Sequence, residues 1–126
     1  MDSRKLALLC RELAENRKAE DVVILDLRKL SNITDYFVIC TGGSEPHLRA
    51  IVDEVREKLE RDFNLSPRGM DGSINTSWVV LDYFDVIVHV MRSDVRELYN
   101  LEALWGDAPQ VRTRGKKATA ASEKSA

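Results

Sequence analysis

The sequence predicts one α/β domain, built on a mixed β-sheet of about five strands with helices packed on it. The chain has 126 residues, 44% of them hydrophobic, which suffices for one domain with a core of its own. Short β-branched segments occur as a pair before a long amphipathic helix and as a hairpin after it. This order predicts a sheet in which parallel and antiparallel pairs are combined.

The first half of the chain alternates helix, two strands and helix. Apolar residues at helical spacing predict a helix over residues 3–18, and continuous β-branched segments predict strands over 21–27 and 36–41. Gly42 and Gly43 end the second strand, and Ser44 is placed to cap the next helix, with Pro46 in its first turn. The buried stripe of that helix is predicted from its spacing: Leu48, Ile51, Val52, Val55, Leu59 and Phe63.

The second half begins with a weaker signal over residues 70–75, which fits an edge strand. Strands are predicted over 78–83 and 85–91, with a very tight turn between them. Ser93 is placed to cap a last helix that ends near Trp105 and Gly106. The last strand is apolar on both faces, so either helices cover both faces or one face awaits a partner.

Charge divides the chain into two parts. Residues 1–106 carry 14 basic and 19 acidic side chains, whereas residues 107–126 carry five basic and two acidic ones. We therefore predict a folded, acidic domain over 1–109 and a disordered basic tail over 110–126. An acidic domain is a poor match for a long nucleic-acid surface.

Cysteine content and hydropathy indicate the compartment. Two cysteines are too few for a disulfide framework, although one bridge stays possible. No apolar run approaches the ~20 residues of a membrane helix, and the first 20 residues include four acids, unlike a signal or transit peptide. A cytoplasmic protein is expected.

No catalytic constellation emerges from the residues that could supply one. Gly43 and Ser44 precede a helix, as in phosphate loops, but lack the Walker and dinucleotide patterns. Asp82 and Asp85 are three residues apart across a turn, not two apart on one strand face. The candidate ligands Cys10, Cys40, His47 and His89 have no metal-site spacing. We expect no catalytic residue, no metal and no cofactor.

Four segments resemble the Iojap family of ribosomal silencing factors. They are residues 35–44 (DYFVICTGGS), 78–83 (WVVLDY), 85–91 (DVIVHVM) and 96–105 (RELYNLEALW). The resemblance spans residues 3–109, in order. Asp71 stands where the family usually has glutamate, and Phe84 stands where it usually has glycine.

The resemblance implies a nucleotidyltransferase-like core without enzymatic activity. It also implies binding to the large ribosomal subunit through ribosomal protein L-fourteen, which blocks the small subunit from joining and represses translation when nutrients are scarce. The basic tail is expected to add a weak contact with ribosomal RNA, and a homodimer of the free protein is left open. A nucleotide-using transferase is the alternative function; it requires two acids on one strand face near Gly43 and Ser44.

Period-two alternation on the strand after residue 77 predicts the contact residues. One side carries Trp78, Val80 and Asp82, and an aromatic, an aliphatic and an acidic residue together suit an interface with a basic partner. Trp and Tyr are preferred anchors of protein interfaces. We therefore predict partner contacts by Trp78, Val80 and Asp82, with Tyr83 close by at the turn.

Overall fold

The computed structural model describes residues 1–111, and its elements follow the predicted order. The helices are α1 (Ser3–Asn16), α2 (Glu45–Phe63), α3 (Ser93–Tyr99) and α4 (Leu101–Leu104), and the strands are β1 (Glu20–Asp26), β2 (Tyr36–Gly42), β3 (Gly69–Ser73), β4 (Trp78–Asp82) and β5 (Val86–Arg92). Among these helices none is long and apolar enough to cross a membrane.

The strands form one five-stranded sheet in the order β1-β2-β5-β4-β3. β2 and β5 run parallel at its centre, and the other neighbouring pairs are antiparallel. A parallel pair needs a long crossover connection, which α2 and the β3–β4 hairpin provide. The predicted mixed sheet of five strands is confirmed.

Helices α1 and α2 cover one face of the sheet and enclose the main core. Ser44 caps α2 as predicted, because its hydroxyl accepts a hydrogen bond from the His47 amide at 3.3 Å. Gly42 allows α2 to approach closely, since a Cβ there would lie 2.9 Å from Leu48 Cδ2. Phe63 departs from the predicted buried stripe: it is the last residue of α2 and is 48% exposed, whereas Leu59, one turn earlier, is buried.

The other face is covered only in part, by the short helices α3 and α4 and the segment after them. Its smaller core contains Leu25, Leu27, Ile39 and Met91. Arg96 fixes the two helices to the sheet, because its guanidinium contacts Glu102 at 2.7 Å and the Thr41 hydroxyl at 2.9 Å.

The prediction of one last helix, capped by Ser93, is wrong in two respects. Asn100 adopts a left-handed conformation that ends α3 and begins α4, so the helix is broken in two. The residue that precedes α3 is Arg92, not Ser93, and no side chain caps its first turn.

The C-terminal end of the described chain pairs with the edge strand β1. The Asp26 amide donates to the Pro109 carbonyl at 2.8 Å, and the Val111 amide donates to the Ile24 carbonyl at 2.8 Å. Gln110 thereby lies opposite Leu25. Gln110 and Val111, which the sequence assigned to the tail, are thus held against the sheet, whereas residues 112–126 lie outside the described part and their disorder stays a prediction.

Candidate partner-binding face

Part of the second sheet face is left open beside α3 and α4, and we call it the open face. It consists of five half-buried side chains and one exposed acid: Phe37, Trp78, Val80, Asp82, Ile87 and Asp71. On β4 the intervening residues Val79 and Leu81 are buried in the main core. The predicted alternation on β4 is therefore confirmed, while the role of these residues in binding stays a prediction.

Strand register brings the open face together from four strands. Val80 lies opposite Asp71 on β3, and Asp82 lies opposite Ile87 on β5. Ile87 in turn lies opposite Phe37 on β2. Opposite residues on neighbouring strands point to the same face. Together these residues form an apolar strip, and the carboxylates of Asp71 and Asp82 lie along one side of it.

Contacts within the chain hold the Trp78 side chain in one position. Its indole N–H donates to His89 Nδ1 at 3.1 Å, and its ring centroid lies 4.8 Å from that of Tyr99 on α3. The ring is half-buried, so part of its surface is available for contact. A ring held in one position loses little conformational freedom when it binds a partner.

His89 is buried and contacts two residues of the open face, Trp78 and Phe37. Its ring lies 4.5 Å from the Phe37 ring, and its Nε2 atom is buried without a hydrogen-bond partner in the described part of the chain. Burial lowers the pKa of His89 to about 4. Because Nδ1 accepts the hydrogen bond from Trp78, the neutral ring carries its proton on Nε2.

We expect this histidine to make stability depend on pH below neutrality. Its folded-state pKa of about 4 lies below the ordinary value of 6.5, so the unfolded chain takes up the proton first as pH falls. The contribution is complete above pH 6.5 and is lost progressively toward pH 4, by about 3 kcal/mol in all. His89→Gln should flatten this part of a denaturation series at different pH values, and identical slopes in both proteins would contradict the assignment.

Asp82 is partly occupied by its own chain. Its carboxylate accepts a hydrogen bond from the Phe84 amide at 2.8 Å and pairs with Arg68 at 3.1 Å. The Arg68 guanidinium also lies 4.5 Å from the centre of the Phe84 ring. Phe84 has a φ of 76°, which accounts for the glycine that the family usually has at this turn.

Tyr83 does not belong to the open face, while its role in partner binding stays a prediction. Its side chain is 6% exposed and lies in the main core, on the side of α1 and α2. The strand alternation explains this placement, since Tyr83 follows Asp82 and points to the opposite side. Burial raises the pKa of its hydroxyl well above the ordinary value.

The loop before α2 uses its polar groups internally. The Gly43 amide donates to His47 Nδ1 at 2.8 Å, and His47 Nε2 donates to the Arg17 carbonyl at 2.7 Å. The imidazole thus connects the start of α2 to the end of α1. A phosphate would have to displace this histidine to reach the Gly43 amide, so the loop has a structural role.

The remaining candidate ligands do not form a chemical site. Cys10 and Cys40 are fully buried in the main core, where burial raises the pKa of both thiols to about 12. Within residues 1–111, no three or more His, Cys, Asp or Glu side chains are grouped so that they could hold a metal ion.

Three members of the open face were not predicted as contacts. Phe37 and Ile87 lie on strands that are apolar on both sides, so sequence alone does not identify the uncovered side. Asp71 lies in the segment with the weakest strand signal. The pairing of β3 with β4 is what brings Asp71 beside Val80.

Comparison with known proteins identifies the family. The model of the family described as "Ribosomal silencing factor during starvation" (RsfS) matches residues 1–126. The ribosomal silencing factor RsfS of Halalkalibacterium halodurans is 39% identical over 115 residues, which cover 91% of this chain and 97% of that protein. The Mus musculus protein named "Mitochondrial assembly of ribosomal large subunit protein 1" is 31% identical over 98 residues, covering 74% of this chain and 42% of that protein.

The fold agrees with solved structures. A crystal structure of a protein from Chromobacterium violaceum has a TM-score of 0.79 and 31% sequence identity, and the match covers 91% of this chain and 92% of that one. The mixed α/β architecture is thus shared, while the likeness to a nucleotidyltransferase core stays a prediction. The chain belongs to the ribosomal silencing factor (RsfS) family, as its motifs predicted, and is a ribosome-associated silencer of translation, not an enzyme.

Proposed function

We propose that this protein binds the large ribosomal subunit through ribosomal protein L-fourteen and blocks the small subunit from joining. Translation is thereby repressed when nutrients are limiting, and the site of action is the cytoplasm. The observation that carries the proposal is the open face, an apolar strip with two carboxylates on a sheet that is otherwise covered by helices. The name of the mouse relative supports the large subunit as the partner.

The chemistry of the open face favours a basic protein partner. Trp78, Val80 and Ile87 provide the apolar centre, and interface centres are depleted in charge. Asp71 and Asp82 lie at its side, and the first 106 residues carry five more acidic than basic side chains. Acidic surfaces of this kind accelerate encounter with a basic partner. Bare RNA would be repelled by the same charges.

The experiment that tests the proposal uses purified ribosomal subunits. The protein should co-sediment with large subunits and not with small ones. At saturating concentration it should reduce the fraction of joined ribosomes in a sucrose gradient. Binding to large subunits without an effect on joining would contradict steric exclusion, and absence of binding would contradict the whole proposal.

Charge reversal on the open face should slow association. Asp82→Lys would do this but would also break the bonds to Arg68 and the Phe84 amide. Asp71→Lys is cleaner, because Asp71 is exposed and its carboxylate makes no hydrogen bond or ion pair within residues 1–111. We expect its association rate with large subunits to fall several-fold at low salt and to approach the wild-type rate at high salt.

The matched control is Asp53→Lys, the same charge change at an exposed position on α2, outside the open face. If both variants slowed association equally, only the net charge of the protein would matter, and Asp71 would not lie at the contact.

A further inference from the structure

The carboxylate of Asp82, at one end of the open face, holds a cation of its own chain. Its Oδ2 atom lies 3.1 Å from Nε of Arg68, and its Oδ1 atom accepts a hydrogen bond from the Phe84 amide at 2.8 Å. The guanidinium carbon of Arg68 also lies 4.5 Å from the centre of the Phe84 ring. A carboxylate beside an aromatic ring suits a guanidinium, because this group both donates hydrogen bonds and stacks on aromatic faces.

The Phe84 ring projects from a strained turn. The Asp85 amide donates to the Tyr83 carbonyl at 2.9 Å, and Phe84 between them has a φ of 76°. These two features define the γ-turn of positive φ, which is rare and strained for a residue other than glycine. The Phe84 side chain is 57% exposed, so burial in the core does not account for it. An exposed side chain kept at a strained position indicates a function for that side chain.

Arg68 is held weakly enough to be replaced. Its side chain is 49% exposed and that of Asp82 is 27% exposed, and exposed ion pairs contribute little to stability. Arg96, by contrast, donates two hydrogen bonds to the two carboxylate oxygens of Glu102, at 3.2 and 2.7 Å. Such paired hydrogen bonds make an ion pair strong, and Arg68 does not form them with Asp82. A second guanidinium can therefore compete with Arg68 for this position.

We propose that Asp82 and Phe84 form a guanidinium-binding site, which Arg68 fills in the free protein and an arginine side chain of the partner takes in the complex. The second half rests on the proposed function, because it assigns the incoming arginine to the basic partner of the open face. Arg68 is then an internal competitor, and it lowers the affinity of the protein according to the fraction of molecules in which it fills the site. Displacement also favours partners that carry an arginine at this point over those that do not.

A small probe tests the site without ribosomes. N-acetyl-arginine-amide is titrated into isotope-labelled protein, and the Phe84 amide, which donates to Asp82, reports binding through its chemical shift. At equal probe concentration the change in shift should be about threefold larger in Arg68→Ala than in the wild-type protein, because the competitor is absent. N-acetyl-lysine-amide, which lacks the planar guanidinium, should cause a smaller change.

Two results of this titration would overturn the assignment. An equal response in Arg68→Ala and in the wild-type protein would show that Arg68 does not compete for the site. An equal response to the arginine and lysine probes would show that the site does not recognise a guanidinium.

Affinity for purified large subunits tests the displacement. Arg68→Ala should bind them about threefold more tightly than the wild-type protein, because the partner no longer competes with Arg68. The matched control is Arg61→Ala: Arg61 is also exposed and also pairs with a carboxylate, that of Asp62 at 3.1 Å, but it lies on α2, outside the open face. Both variants lose one positive charge, so they share any gain from net charge alone. Equal affinities of the two variants, or weaker binding by Arg68→Ala, would overturn the displacement.

Phe84→Gly, added to Arg68→Ala, isolates the contribution of the ring. Glycine suits a φ of 76°, so the change should not destabilise the fold, whereas the gain in affinity should be lost. A double variant that kept the gain would overturn the role of Phe84. If even the wild-type protein failed to bind large subunits, the proposed function would be wrong, and the probe titration would decide the guanidinium site by itself.

Discussion

Trp78→Ala is expected to weaken binding to the large ribosomal subunit by about thirtyfold or more. This corresponds to the ~2 kcal/mol or more that is typical of an interface hot spot. The reason is the placement of the ring: it is half-buried, bonded to His89 and packed on Tyr99, so it offers a rigid apolar surface. The measurement is the dissociation constant for purified large subunits.

The same substitution should also reduce stability, because His89 Nδ1 loses its donor. A buried acceptor without a partner costs about 1–3 kcal/mol. Trp78→Phe is the control that separates the two effects: it loses the same hydrogen bond and keeps an aromatic surface, so it should be destabilised similarly but bind more tightly than Trp78→Ala. A folded Trp78→Ala protein with wild-type affinity would show that this ring lies outside the contact.

Gly72→Ala should disrupt the β3–β4 hairpin and, through it, the open face. Gly72 has a φ of 72°, and an alanine Cβ would overlap the carbonyl oxygen of Trp78. Backbone cannot yield as a flexible side chain can, so the hairpin must change its register or conformation. We expect a loss of about 3 kcal/mol or more in the free energy of unfolding, measured with a chemical denaturant.

Gly69→Ala is the matched control on the same strand. A Cβ at Gly69 would meet no atom within 4 Å, so this variant should keep wild-type stability. Equal destabilisation by the two substitutions would mean that any side chain on β3 is harmful, and would contradict the specific overlap at Gly72.

The local sequence pattern correctly predicted two features, the outward side of β4 and the cap of α2. The alternation of β4 identified its outward side, since every second residue of a strand shares a face. The cap at Ser44 was also predicted, because the glycines before it and the proline after it mark the start of a helix. These features depend on a few neighbouring residues.

Features that depend on distant partners were not predicted. Tyr83 was expected close to the contact residues because it lies at the tight turn, and the extent of its burial depends on packing on the side of α1 and α2. The break at Asn100 depends on a left-handed residue that ends one helix and caps the next. Asp71 becomes a neighbour of Val80 only through sheet pairing, which the sequence of β3 barely indicates.

The parallel pair at the centre of the sheet determines when this protein can fold. Tyr36 on β2 lies opposite Val86 on β5, fifty residues later in the chain. Such non-local pairing is slow, because a long loop must close before any stabilising contact forms. During synthesis, β1 and β2 emerge early as a two-stranded hairpin, which is marginal on its own in water. The sheet centre must wait for β5, so the nascent protein gains its partner-binding face only after residues 86–92 have been synthesised and have paired with β2.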